Sequence, residues 1–354
     1  LLCGFGHRES RGPGDAVQVA NNLLKAVAAF QFVWAQHTFT LGVSIGVVMV
    51  NTNFRRLAQV MNAADTACYS AKDAGRNRIH VFQEDEEVVA RRHGEMEWVA
   101  RAKRALVENR LFLEAQPMLA LGDNPGAAMP YELLVRMRDE NGRSVPPGAF
   151  LPSVERYNLS VRYDRWVIAA ALDWITRHHQ AMTRVSRFFI NLSKDSVVDP
   201  ETAAFVRQAL SGAGVDPARI GLEISENVAI ANLSSATQLI NDLRRIGCLT
   251  SLDDFGSGVS SFAYVKALAV DYIKIDGMFV GNISQDKVDY AMVRSIKDIG
   301  HVMGKKLVAE SVETPAVLEK LREIGIDFAQ GFQVGEPRPI DELASVEVAD
   351  LLAG

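Results

Sequence analysis

The sequence predicts an α/β fold: a modified (β/α)8 barrel with one antiparallel strand, preceded by a partial α/β domain. Three observations carry this expectation. From Leu111 onward, short apolar runs alternate with helical stretches, and eight such runs over about 240 residues is the arithmetic of a (β/α)8 barrel. The connection between the first two runs, Phe112–Pro117 and Tyr131–Arg136, is too short for a crossover helix, so those strands are expected to pair antiparallel. Polar residues recur near the ends of the runs, where barrels gather their sites.

A chain of 354 residues, 48% hydrophobic and 23% charged, can hold two globular domains. Its net charge of −5, without a basic block, argues against a nucleic-acid polymer as ligand. Cys3, Cys68 and Cys248 are odd in number and far apart, so they fit no disulfide framework or zinc spacing, and a reducing cytoplasmic location is expected. No apolar run approaches the ~20 residues of a membrane-spanning helix, so no membrane contact is expected within this stretch. The chain opens on Leu1 rather than Met, and Leu1–Cys3 reads as the tail of a strand already under way. The expectation is a fragment of a longer protein, whose N-terminal part could carry a sensor or anchor.

Residues 1–83 form the first unit. Gly12-Pro13-Gly14 reads as a turn. Asp15–Phe30 has helical spacing at Val19, Leu23, Ala26 and Phe30. Thr40–Val50 reads as a strand, Phe54–Ala74 as a helix stopped at Gly75, and His80–Phe82 as a closing strand. Residues 84–110 open with an acidic run and continue with Met96, Val99, Ala102 and Leu106 at helical spacing. This is the pattern of a connecting helix that docks one face on a domain. Residues 111–354 are expected to form the barrel. Its remaining candidate strands are Arg187–Ser193, Ile220–Ser225, Thr250–Asp254, Tyr272–Asp276, Lys306–Ser311 and Phe328–Phe332. Ala231–Ile246 and Val288–Met303 read as amphipathic helices, with Leu233, Ala236, Ile240 and Leu243 facing inward in one. Val288, Met292, Ile296 and Ile299 do the same in the other.

The candidate site centres on Ser251–Ser261, SLDDFGSGVSS. A short apolar run ends in two adjacent carboxylates, Asp253 and Asp254, followed by a loop with Gly256 and Gly258. Ser251 and Asp253 share a strand face, and Asp254 is expected to join them because the strand ends there and glycine permits the bend. Crowded carboxylates repel unless a cation sits between them, and oxygen-rich pairs suit Mg²⁺ or Mn²⁺ in a two-metal site. Alone, such a pair would be an Asp-rich turn. Glu132, Asn191, Glu223, Lys274, Glu310 and Gln330 are placed at other strand ends, and strand alternation lets Asn191, Glu223 and Lys274 point inward while their apolar neighbours point out.

The ordered segments YELLVRM (Tyr131–Met137), INLS (Ile190–Ser193), EISE (Glu223–Glu226), DDFGSG (Asp253–Gly258), KID (Lys274–Asp276), AESVE (Ala309–Glu313) and QGF (Gln330–Phe332) resemble an EAL domain, over roughly Leu111–Pro339. That family comprises cyclic di-GMP phosphodiesterases. The resemblance implies that Glu132, Asn191, Glu223, Asp253 and Asp254 hold two cations, directly or through water. It implies that Lys274 orients the nucleophilic water, that Glu310 lies at the second cation or its water, and that Glu226 anchors the glycine-rich loop. Gln116, Arg136 and Gln330 would contact the dinucleotide or its surroundings. VSIGVV (Val43–Val48) and ADTACYSAKDAGRNRI (Ala64–Ile79) are similar to the C-terminal half of a GGDEF domain, which implies phosphate contacts for Lys72 and Arg76. The GGDEF signature, its phosphate loop and its inhibitory site are absent from this chain, so cyclase activity is not expected of it.

Three positions depart from the EAL pattern. Leu133 stands where alanine is usual, Ser311 where glycine is common in AEGVE, and Val259 where an aromatic residue is common. Leu133 neighbours Glu132 and so faces the helix layer. The expected reaction is metal-assisted hydrolysis of one phosphodiester bond of cyclic di-GMP to linear 5′-pGpG. The rival readings are a non-hydrolysing cyclic di-GMP receptor and a barrel hydrolase for another phosphodiester. The retained ligand set favours the enzyme. Family members commonly pair through the helix after the DFGSG loop, here Ser260–Leu268, so a symmetric homodimer is expected.

Overall fold

The chain divides into two compact units, Leu1–Trp98 and Val99–Gly354. The computed structural model describes residues 13–34, 37–40, 42–50, 57–73, 77–82, 98–122, 128–256 and 262–345.

In the first unit, the helix Pro13–Ala29 begins at the proline that the sequence had suggested for a turn. Proline suits a first helical turn because its missing N–H would have had no intrahelical partner there. The strand expected over Thr40–Val50 divides in two. A hairpin pairs β1 (Gln31–Trp34) with β2 (His37–Thr40), and β3 (Ile45–Val47) pairs in parallel with β4 (Ile79–Val81). The helix Leu57–Asp73 buries Ala63, Ala67 and Ala71, one small residue per turn, which lets it approach closely. A side chain at Gly46 would strike that helix's backbone, and the Gly46 N–H instead donates to Cys68 Sγ at 3.2 Å. Lys72 lies in the last turn of this helix, while Leu1–Cys3, Gly75 and Arg76 lie outside the described residues.

The second unit opens with a helix over residues 98–107, whose Val99, Ala102 and Ala105 are buried. Tyr163 donates its hydroxyl to Ala102 O at 3.0 Å, which ties this helix to the barrel wall. Strand β5 (Leu111–Pro117) pairs antiparallel with β7 (Met129–Arg138), in register Gln116↔Glu132. Then β9 (Val185–Asn191), β10 (Ile220–Ser225), β11 (Leu249–Phe255), β12 (Tyr272–Ile275), β13 (Lys306–Ala309) and β14 (Phe328–Ala329) follow in parallel. Strand β6 (Leu119–Ala120) continues β5 past Met118 and pairs antiparallel with β14, so the ring closes on its one reversed strand. Two short additions, β8 (Ser144–Val145) on β7 and β15 (Arg338–Pro339) on β5, had no signal in the sequence strong enough to announce them.

Alternation separates two apolar layers. Leu133, Phe188, Ile190, Leu222, Ile224 and Ile273 join the large core between strands and helices, so Leu133 does not face the ring interior. Phe189, Tyr272, Met118 and Val308 form a separate cluster inside the ring, with the Phe189 and Tyr272 rings edge-on at 5.0 Å. Those four side chains floor the interior, and the polar residues stand above them.

Two helices differ from expectation. The helix expected over Ala231–Ile246 starts instead at Leu233, after Asn232 and a separate helix Glu226–Ala231, and its buried face is Ala236, Leu239, Ile240 and Leu243, with Leu233 exposed. Lys287–Val302 buries Val293, Ile296 and Gly300 and leaves Val288 and Met292 exposed. Its contact is set where Gly300 lies against Leu307 of β13, not by the first apolar residues of the repeat. No helix among the described residues is long and apolar enough to cross a membrane.

Candidate active site

Lys274, in the middle of β12, is 1% exposed, and its ammonium lies among four carboxylates. Nζ is 3.0 Å from Glu132 Oε2, 3.0 Å from Glu223 Oε2, 3.2 Å from Asp253 Oδ1 and 2.8 Å from Glu310 Oε1. An ammonium has three N–H bonds, so four carboxylates cannot all be served by it. Glu223 Oε1 and Asp253 Oδ1 are buried and receive no hydrogen bond among the described residues. One ammonium against four carboxyl groups leaves the cluster short of cation, in an interior where unpaired charge is costly.

Glu132 is not at a strand end, as the sequence had suggested. Strand β7 continues past it through Arg138, and Glu132 reaches the cluster because parallel strands in a barrel are staggered. Its partner on β9 is Phe189, two positions below Asn191. Asn191 Nδ2 donates to Glu132 Oε1 at 2.6 Å, and Gln330 Nε2 donates to Glu132 Oε2 at 2.6 Å. Gln330 also reaches Gln116 Oε1 at 3.1 Å, and Gln116 donates to Gly335 O at 3.1 Å. Arg136 is taken up by Glu114, with Nε 2.7 Å from Oε2.

Asp254 turns towards the site by a route that the sequence did not show. Strand β11 does not end at the paired aspartates but runs to Phe255, and its register against β12 shifts between Leu252 and Phe255. Two residues there oppose one, which is a bulge, and bulges re-aim side chains beside active sites. Asp254 itself takes the left-handed turn, with φ 54°, and Gly256 follows with φ 103° against the Phe279 ring. Asp253, Asp254 and Glu310 thereby bring one oxygen each within 4.8 Å of one another.

Glu226 is fully buried, and its side chain is engaged away from the lysine. Oε2 accepts the Gly256 N–H at 3.0 Å, and Oε1 accepts the Tyr264 hydroxyl in a short hydrogen bond. Burial, with the Glu226 carboxylate beside it, raises the Tyr264 phenol and keeps it protonated as a donor. Tyr264 was missed in the sequence because its reach across the glycine-rich loop is a tertiary contact. Val259 and Ser260 lie outside the described residues.

The carboxyl groups differ by burial and by the hydrogen bonds each receives, not by distance from Lys274. Burial lowers the Lys274 pKa, but the surrounding carboxylates outweigh it and hold the ammonium well above its usual value. Burial raises Glu132, yet Lys274 and the hydrogen bonds from Gln330 and Asn191 bring it below the ordinary range. Glu223 is raised well above its ordinary value, by burial first and then by Glu132 and Asp253, against the pull of Lys274. Asp254 is raised by burial and by Asp253 and Asp276. Glu310 is pushed up to about 7 by burial, with Lys274 opposing and Asp253 adding. A carboxyl raised in the folded state contributes stability that is full below its unfolded value and is lost as pH rises through its folded value. In chelator, melting temperature is therefore expected to fall between about pH 4.5 and 7, where Glu310 is ionised in the unfolded chain but still protonated in the folded one, and saturating Mg²⁺ should abolish that fall. A chelated protein equally stable at both ends would contradict the Glu310 assignment.

A cavity of about 340 Å³ opens above the cluster, lined by Gln116, Glu132, Asp254, Glu310, Gln330 and the exposed Phe332, among others. Ser311 and Glu313 also line it. They stand inside the AESVE segment, but neither was singled out from the sequence as a wall of the site. Carboxylate and amide oxygens are the donor set of a hard divalent cation, and the orphaned oxygens of Glu223 and Asp253 fit such an ion.

Comparison with protein families matches an EAL domain over residues 99–337 and a diguanylate cyclase, GGDEF domain over residues 10–78. The chain is 33% identical over 302 residues to the cyclic di-GMP phosphodiesterase PdeB of Shewanella oneidensis, covering 85% of this chain and 35% of that protein. It is 30% identical over 339 residues to the bifunctional diguanylate cyclase/cyclic di-GMP phosphodiesterase MucR of Pseudomonas aeruginosa, covering 95% of this chain and 48% of that one. The chain thus spans between a third and a half of these relatives' length. Among solved structures, the PaMucR phosphodiesterase in complex with c-di-GMP aligns at TM-score 0.64 and 30% identity, over 70% of this chain and 99% of that chain. The FimX EAL domain of Pseudomonas aeruginosa bound to c-di-GMP aligns at TM-score 0.63 and 29% identity, over 68% and 96%. With the family match spanning the whole ring and every member of the Lys274 cluster, this chain belongs to the EAL domain family.

Proposed function

We propose that the barrel hydrolyses cyclic di-GMP to linear 5′-pGpG with divalent cations, Mg²⁺ or Mn²⁺, held by Glu132, Asn191, Glu223, Asp253 and Asp254. The observation that carries this reading is the buried Lys274 ammonium outnumbered by four carboxylates, at the foot of an open cavity. The named phosphodiesterase activity of the PdeB and MucR relatives supports the same substrate. Bound there, two cations would neutralise the phosphate and lower the pKa of an attacking water.

The chain's own groups divide the remaining work. Lys274, held protonated by its neighbours, is a fixed donor that orients the water and does not act as a base. Glu132 is held in one pose by Asn191 and Gln330, so its second oxygen faces Lys274. Glu226 holds the backbone beyond the aspartate pair. Gln116 and Gln330 present amides along the cavity wall, and attack on phosphorus opposite the 3′-oxygen expels that oxygen to give the linear product. The test is product analysis of the purified chain with cyclic di-GMP and Mn²⁺ or Mg²⁺. Linear pGpG supports hydrolysis, whereas tight binding without product identifies the receptor reading.

The cysteine pattern supports a cytoplasmic setting for this stretch. We also propose a symmetric homodimer through the helix Phe262–Ala267, which Tyr264 joins to Glu226. A dimeric mass by light scattering at tens of micromolar is expected, and a purely monomeric one would rule the pairing out.

A further inference from the structure

Ser311 occupies a turn where glycine would be the unstrained choice, since its φ is 52°. Strands β12 and β13 pair as far as Ile275↔Ala309, and the Glu310 N–H donates to Ile275 O at 3.2 Å. Beyond that rung the two chains part. One continues from Ile275 through Asp276 into the helix Gly277–Val280, with Asp276 capping it by accepting the Met278 N–H at 2.7 Å. The other carries Glu310 into Ser311 and on to Val312, whose N–H donates to Gln330 O at 3.0 Å. Where they part, the Ser311 side chain sits over Gly277. A Cβ placed on Gly277 would fall on both Cβ and Oγ of Ser311. The side chain therefore fills the space that any other residue at 277 would need.

We propose that Ser311 is a positioning residue. Its side chain, seated on Gly277, joins the loop that carries Glu310 to the loop that follows Lys274 and holds Glu310 against the ammonium. This rests on the hydrolytic reading for its kinetic readout, but the contact itself does not. Strain at Ser311 is sustained because both flanks are hydrogen-bonded, so the side chain has one place to go.

The test is a double-mutant cycle with Ser311→Gly, Gly277→Ala and the pair together. Ser311→Ala serves as the conservative rescue because it keeps Cβ. Turnover number and KM would be measured with cyclic di-GMP, Mn²⁺ affinity by calorimetry, and melting temperature for every variant. Ser311→Gly is expected to lower kcat on the order of tenfold with KM little changed, while its melting temperature holds or rises. Ser311→Ala should stay within about twofold of the parent. Gly277→Ala should lower both kcat and melting temperature in the parent and be nearly silent in the Ser311→Gly background. Additive effects in kcat and in melting temperature would overturn the contact, and so would a Ser311→Gly variant with parental kcat. Loss in Ser311→Ala equal to that in Ser311→Gly would assign the effect to the hydroxyl and overturn the packing role. If the parent binds cyclic di-GMP without cleaving it, the hydrolytic reading fails alone, and the cycle in melting temperature and Mn²⁺ affinity still decides the contact.

Discussion

Lys274→Met should strongly impair hydrolysis and, in chelator, should also unfold the barrel at markedly lower temperature. Methionine keeps most of the lysine's volume, so the effect is one of charge. Four carboxylates lie within 3.2 Å of an ammonium that is 1% exposed, and removing it leaves them facing one another in an interior that solvent screens only in part. Breaking a buried ion pair from one side costs about 3–5 kcal/mol. Part of that will be relieved as Glu223 and Glu310, already raised, take up protons. Divalent cations should restore much of the stability, because they supply the missing positive charge to the same oxygens. They should not restore turnover, which is expected to stay down by roughly a hundredfold to a thousandfold because the fixed donor is gone. Calorimetric melting with and without Mn²⁺, beside product analysis, separates the two effects. Turnover that survives in Mn²⁺ would make Lys274 a structural counter-ion and nothing more.

Glu226→Gln is the second large effect, and it should act at a distance. Glu226 makes no contact with the Lys274 ammonium; it holds the Gly256 amide and the Tyr264 hydroxyl at once. Each of these hydrogen bonds to a charged acceptor is worth roughly 1.5–3 kcal/mol, and a glutamine can replace the geometry only in part. The Gly256 amide lies two residues beyond the bulge that aims Asp254, so loosening it lets that carboxylate drift. Misplacement of about 1 Å costs on the order of a hundredfold in rate. Turnover should fall by that order while Mn²⁺ binding persists, since Glu132, Glu223 and Asp253 are untouched. Tyr264→Phe should reproduce a smaller part of the loss. Steady-state rates beside a metal titration check this, and an unchanged rate would reduce Glu226 to the first residue of the helix Glu226–Ala231.

The eight strands of the ring, the antiparallel start and the inward-facing set were all legible in the sequence. Alternation along a strand is a local property: once Ile190, Ile224 and Ile273 face the helices, Asn191, Glu223 and Lys274 must face the other way. The short link between β5 and β7 excludes a crossover helix whatever else the chain does. What sequence could not supply was height within the ring and direction at its rim. Glu132 joins the cluster from the lower part of a long strand, because barrel stagger, set by closure of all the strands together, decides which residues share a level. Asp254 joins through a bulge whose register exists only against β12. Tyr264 reaches Glu226, and Ser311 reaches Gly277, across gaps that no local spacing encodes. The sequence by itself determined which side chains could face the interior, since that follows from the period of a strand. Only the tertiary structure decided which of them meet, because meeting depends on stagger, bulge and turn, and those are properties of the closed ring.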